Sequence, residues 1–373
     1  MSLPPRLARA VLAALAGALV ASCTATPGTP RDGAEPSAGA SPGGSTASSP
    51  SGTALTAFPP VEVVLTPALR GDGGWKEVFR VPWGPAVQQL GVSDDHDGQA
   101  PRLGPDGGAP TGIGTWWFTD THKLRLVEVD RTGRYLRQLP VPGPHMDATL
   151  LHVFDDGRMW ASNGATGENS LWADGPDGPA RRADASYPDS LVWSGDDGAA
   201  AYARGNDGRS YRLAVTPDGP QVTPTDWWRT RDGRRFLPRL DLYARRAFVD
   251  LPDAPAPATV ELRFTYPGDP TKLLIFAETR AGTDGRVHLL VAGVLDGPEP
   301  IELATLVTVE ADGRVGKPVP VPFFQTGTDM GSPSHLQIQP DSGHPALVVN
   351  REDHTAVLTP PVSPRPTATA DTA

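Results

Sequence analysis

The chain has 373 residues, with 33 Lys plus Arg against 43 Asp plus Glu, a net charge of −10 and one cysteine. The acidic balance argues against a phosphate-backbone partner such as nucleic acid and against docking on anionic headgroups through charge. A lone cysteine excludes an internal disulfide, so the fold must rest on its own core.

The first ten residues carry Arg6 and Arg9 and no acid, and Val11–Ser22 is uncharged. That uncharged run is far shorter than the roughly 20 apolar residues a membrane-spanning helix needs. A basic start, a short apolar core and small residues form the pattern of an export signal. Leu19, Val20, Ala21, Ser22 and Cys23 then resemble the bacterial lipobox. The resemblance implies cleavage before Cys23, lipid on its thiol and amine, and a place on the extracytoplasmic face of the cell membrane. Two or more acyl chains anchor stably, whereas one binds marginally. Loss of Arg6 and Arg9 with the signal makes the mature chain two units more negative.

Four segments are expected: a signal over 1–22, a tether over 23–57, a folded domain over 58–361 and a disordered tail over 362–373. The tether is almost all Thr, Ser, Pro, Gly and Ala, as in SAGASPGGSTASSPSG. Such a composition buries too little apolar surface to offset chain entropy, and it behaves as a flexible spacer.

Within the domain, short apolar runs alternate with turn pairs. The pairs include Thr132-Gly133, Asp156-Gly157, Asp197-Gly198, Asp232-Gly233, Asp284-Gly285 and Asp312-Gly313. These residues tolerate the positive φ that tight hairpins require. The runs between them, such as GTWWFTD, LRLVEVD, SYRLAVT, VHLLVAGVL and ALVVN, have the length and composition of strands. No sustained helical period with caps appears outside the signal. The expected class is therefore all-β.

Segments starting at Gly114, Leu150 and Leu191 each read as successive strands and turns. Their spacing of about 40 residues suits four-stranded propeller blades. About 300 residues would hold six or seven blades, six being favoured. The segment WWFTDTHKLRLVEVDRTGRYLRQLPVP resembles an NHL-type propeller repeat. Asp120, the turn Thr121-His122-Lys123, the strand Leu124–Val129, and Asp130 with Gly133 occupy the pattern's places. His122 stands where the pattern has Asn, and later segments lose the pattern. Ring closure is expected from Val61–Leu65 joining a last blade built of HLQIQP, ALVVN and TAVLTP, which would hide edge strands.

Catalytic motifs are sparse. Gly39-Ala40-Ser41-Pro42-Gly43 has nucleophile-elbow spacing but lies in the tether, not on a strand-to-helix turn. Ser332, Ser334 and His335 read as a loop entering a strand, and Glu352-Asp353-His354 as a turn. Asp241 and Asp250 flank an apolar run, a spacing silent about their separation in space. The eight histidines show no paired zinc spacing. Asp94, Asp95 and Asp97, in a loop with Gly98, are the candidate metal ligands, with Ca²⁺ the fitting ion. The pairs Trp116-Trp117 and Trp227-Trp228 should each point to opposite faces of a strand.

The expected function is a membrane-anchored extracytoplasmic binding or scaffold propeller for a protein or small ligand. The alternative is a metal-dependent propeller hydrolase or lactonase, whose carboxylates and histidines would converge only in space.

Overall fold

A computed structural model describes residues 55–69, 71–92, 107–140, 148–155, 158–163, 169–175, 178–180, 191–205, 209–216, 219–241, 244–267, 273–295, 301–322, 335–339 and 341–361. Among these the chain is all-β, apart from one 3-10 turn at Thr121–Lys123. No described helix is long and apolar enough to cross a membrane.

Strands β1 (Thr56–Ala57), β2 (Val61–Val64) and β3 (Lys76–Pro82) precede the sheets they join. The first sheet holds β4 (Gly107–Pro110), β5 (Trp116–Asp120), β6 (Arg125–Val129) and β7 (Tyr135–Pro140). The second holds β8 (Ala148–Val153), β9 (Met159–Asn163), β10 (Asn169–Gly175) and β11 (Gly178–Ala180). The third holds β12 (Leu191–Asp196), β13 (Ala200–Gly205), β14 (Ser210–Thr216) and β15 (Gly219–Thr225). The fourth is built on β16 (Trp228–Arg229), β17 (Arg235–Asp241), β18 (Arg246–Leu251) and β19 (Ala258–Thr265). The fifth holds β20 (Leu273–Ala281), β21 (Val287–Leu295), β22 (Ile301–Val309) and β23 (Val319–Pro320). The sixth holds β24 (His335–Ile338), β25 (Pro345–Asn350) and β26 (His354–Thr359), with β3 antiparallel to β26.

These sheets form a β-propeller. First strands neighbour one another around a ring, with β24 beside β4, β4 beside β8, and β20 beside both β12 and β24. Five sheets are regular four-stranded blades. The fourth departs from them. Its first strand has two residues, β12 reaches past it to β20, and β1 and β2 both pair with its last strand.

Ring closure differs from the sequence expectation. The last sheet does contain β24, β25 and β26, but its fourth strand is β3 rather than Val61–Leu65. In β3, Phe79 and Val81 are buried in the seam with the first sheet, while the flanking Val78, Arg80 and Pro82 are exposed. Val61–Val64 instead pairs in parallel with Leu262–Thr265. Val63 and Leu65 are buried there, in the core between the fourth and fifth sheets. Both segments have strand periodicity; the apolar seam each one fills sets its place.

From β1 to β3 the chain forms a strap across three sheets. It runs along β19, bonds Leu65 N to Thr265 O, and passes Thr66 O to Ala304 N of the fifth sheet. Leu69 N then donates to Val321 O, and the Trp75 indole donates to Pro320 O at 2.8 Å.

Seams between sheets make the core. Trp116 and Phe118 join Phe79, Val81, Val348 and Val357 between the first and sixth sheets. Trp117 turns the other way, toward Leu126, Val153 and Met159. Both tryptophans of this pair are therefore buried, one in each seam, because successive strand residues face opposite sides and a blade is covered on both. Full burial of each such side chain contributes roughly 1.5–3 kcal/mol.

Candidate functional site: the open face of the fourth sheet

Three polar constructions stand out among the described residues. The first ties the loop after β3 to the first sheet. Asp120 is 1% exposed; its Oδ1 accepts from Gly91 N at 2.9 Å, and its Oδ2 from Arg125 Nε at 2.7 Å. Arg125 also donates to Val87 O, and Lys123 Nζ donates to Gly84 O, Ala86 O and Gln89 O. Burial, with the Arg125 charge, holds the Lys123 pKa below its usual value. Every donor here already meets a backbone carbonyl or a side chain, so the cluster is a latch closing the ring. The NHL-type pattern marked Asp120 and the turn beside it.

The second lies where hairpin turns of several sheets converge. Asp155 N donates to Gly198 O, and Arg231 Nη1 donates to Asp155 Oδ1 at 2.7 Å. This ion pair joins turns of the second and fourth sheets beside a turn of the third. Nearby in the fifth sheet, His288 Nδ1 lies 3.0 Å from Thr308 Oγ1, and its Nε2 is buried without a hydrogen-bond partner. Burial pushes the His288 pKa down to about 4, so the ring is neutral at pH 7.

The third is the most open to solvent. In β18, Ala247, Val249 and Leu251 pack into the core shared with the fifth sheet. The alternate residues Arg246, Phe248 and Asp250 take the opposite face. In β19 the same alternation buries Val260, Leu262 and Phe264 and leaves Glu261 and Arg263 on that face. The register then lines up Asp241, Arg246, Arg263 and Glu62 in one row across β17, β18, β19 and β2. Arg239, Phe248 and Glu261 form the next row.

Ion pairs knit these rows: Arg246 to Asp241 at 3.1 Å, Arg263 to Glu261 at 2.8 Å and Arg239 to Asp250 at 2.9 Å. The guanidiniums of Arg239 and Arg246 lie 5.0 Å and 5.5 Å from the Phe248 ring centre, within cation–π range. Glu261 beside Arg263 raises the arginine pKa further. The side chains of Arg246 and Arg263 remain 39% and 47% exposed, so the face is wet rather than packed.

One end of this face holds a groove of about 460 Å³, lined by Glu62, Arg245, Arg246, Arg263, Phe264 and Thr265 among others. Arg245 is held at a φ of 53°, in the left-handed region, and its carbonyl accepts from Phe264 N. No carboxylate pairs with Arg245 among the described residues, and Arg246 Nε is buried without a partner. The groove offers guanidinium donors and a hydroxyl. Glu62 adds one carboxylate, and the lining includes no histidine or thiol.

Residues 73–359 match the profile of the Domain of unknown function (DUF7485). The chain belongs to that family. The DUF7485 match covers β3 to β26 and leaves β1 and β2, which the strap adds to the fourth sheet, outside it. No curated protein matches the chain. A streptogramin B lyase structure shares 14% identity and a TM-score of 0.40, over 69% of this chain and 93% of the other. Virginiamycin B lyase from Staphylococcus aureus shares 12% and 0.37, over 79% and 98%. Regucalcin, a calcium-binding protein from Agrobacterium tumefaciens, shares 13% and 0.36, over 80% and 94%. Likeness at this level bears on neither the ligand nor the chemistry of this DUF7485 protein.

The residues singled out in the sequence fall unevenly on the DUF7485 fold. Cys23, Asp94, Asp95 and Asp97 lie outside the described residues. Among the described residues no three His, Cys, Asp or Glu side chains converge as metal ligands. Asp241 and Asp250 do share the open face, but each is bound to an arginine rather than to the other. Trp228 is fully buried and Trp227 half-buried beneath Arg235. Asp353 accepts from its neighbour His354, which lowers the Asp353 pKa. The arginine rows carried only a weak signal, the alternation RLDL, RAFVDL and VELRFT. That alternation shows one polar face but not that the face stays uncovered.

Proposed function

We propose that this protein is a membrane-tethered extracytoplasmic binding module, anchored by lipid on Cys23, that meets its protein or small-ligand partner on the open face of the fourth sheet. The observation that carries the reading is the row Asp241, Arg246, Arg263 and Glu62 standing toward solvent beside the groove. Guanidiniums and carboxylates fixed by register recognise polar partners by geometry and charge. In this reading the fourth sheet is a sixth blade, with its innermost strand cut to Trp228–Arg229 and its outer edge widened by β1 and β2.

The test is cross-linking in cells with the tagged protein and with Cys23→Ala. One abundant partner recovered only with the anchor in place supports the module. Turnover of a substrate by the purified mature protein at an appreciable rate would remove the reading in favour of an enzyme.

A further inference from the structure

The chain as a whole carries a net charge of −10, yet the side chains lining the groove include three arginines and one glutamate. Two of those arginines are engaged: Arg246 by Asp241 and, more distantly, Glu261, and Arg263 by Glu261. The third, Arg245, has no carboxylate partner among the described residues. It also occupies the left-handed backbone region, which a non-glycine residue rarely adopts. The carboxylate that belongs to the groove comes from outside the sheet's own hairpins. Glu62 lies on β2, the strap strand, and stands opposite Arg263 in the parallel register.

We infer that the groove is an oxyanion site, taking a carboxylate or phosphate group through Arg245, Arg246 and Arg263, and that Glu62 is its built-in competitor. Planar guanidiniums match such groups with two parallel hydrogen bonds. A free small anion and a lipid headgroup share this chemistry. The inference deepens the binding-module reading and rests on it.

The experiment is NMR of arginine Nε–Hε resonances in the mature protein. It is titrated at constant ionic strength with inorganic phosphate and with acetate, chloride serving as the control. Saturable shifts of Arg245, Arg246 and Arg263 are expected with phosphate or acetate and not with chloride. Arg245→Asn, which tolerates the left-handed backbone, is expected to weaken binding at least tenfold. Glu62→Gln is expected to tighten it about threefold to fivefold, the effect of removing one like charge about 5 Å away in water.

Vesicles containing phosphatidylglycerol identify the source. Association lost with Arg245→Asn assigns the site to a headgroup, and phosphate shifts without vesicle association assign it to a free anion. Absence of saturation, a response unchanged by Arg245→Asn, or weaker binding by Glu62→Gln overturns the inference. If the groove fails while an anchored partner is still captured in cells, the module stands without its anion site. Substrate turnover removes the module itself.

Discussion

Replacing Asp120 by asparagine leaves a guanidinium without its counter-charge at the point where the propeller closes. Asp120 and Arg125 are 1% and 6% exposed, and Oδ2 meets Nε at 2.7 Å. The substituted amide has one oxygen, so if it still accepts from Gly91 N it turns an NH2 donor toward the Arg125 Nε–H. Breaking one side of a buried pair costs about 3–5 kcal/mol. For a domain of this size that lowers Tm by roughly 6–10 °C, at about 2 °C per kcal/mol. Urea unfolding followed by tryptophan fluorescence measures it, since Trp83 opens the latched loop and bonds Thr355 of the last sheet. The double variant Asp120→Leu with Arg125→Met is expected to lose less than the sum of the two single changes, because it leaves no lone buried charge. A loss below about 1 kcal/mol for Asp120→Asn would refute the view that this pair holds the loop.

Two glycines with the same backbone separate seam packing from turn geometry. Gly133 and Gly233 have φ of 80° and 85°, but a Cβ at Gly133 would lie 2.3 Å from Arg80 O, whereas one at Gly233 meets nothing within 4 Å. Gly233→Ala should cost about 1 kcal/mol and Gly133→Ala clearly more, both read by thermal unfolding; equal losses would mean that the first and sixth sheets do not pack as described. His288 titrates near 4 when folded and near 6.5 when unfolded, so the unfolded chain takes up the proton first as pH falls. Stability from this group is complete above about pH 6.5 and declines toward pH 4 by about 3 kcal/mol. His288→Leu should flatten that part of the pH–stability profile, and an unchanged slope would contradict the buried neutral ring. A chain starting at Gly71 loses Val63 and Leu65 from the core and should be several kcal/mol less stable than one starting at Leu55. Equal denaturation midpoints would show that the strap carries no weight.

Much of the fold was legible because it is written in short-range chemistry. The segment WWFTDTHKLRLVEVDRTGRYLRQLP is β5, the 3-10 turn, β6 and β7 in order. Gly198, Gly233, Gly285 and Gly313 all take the positive φ their Asp-Gly pairs implied. The inner strand β4, Gly-Gly-Ala-Pro, was not legible as a strand. Its glycines serve close approach, since a Cβ at Gly108 would lie 2.6 Å from the Phe118 ring. The outer strand β15 carries two prolines, which only an edge position tolerates. The choice between β2 and β3 for closure, and the exposure of the arginine rows, depend on which sheet covers which face. Strand periodicity within one segment does not contain that information.

The most direct measurement of the proposed role is photo-cross-linking in cells, with a photoreactive amino acid placed at Arg263 on the open face or at Val78. Val78 is 46% exposed on the outer strand of the sixth sheet. A specific adduct at position 263, absent at position 78 and lost with Cys23→Ala, is the result expected of a tethered module that binds through its fourth sheet. Adducts confined to position 78, or equal at both positions, would contradict it.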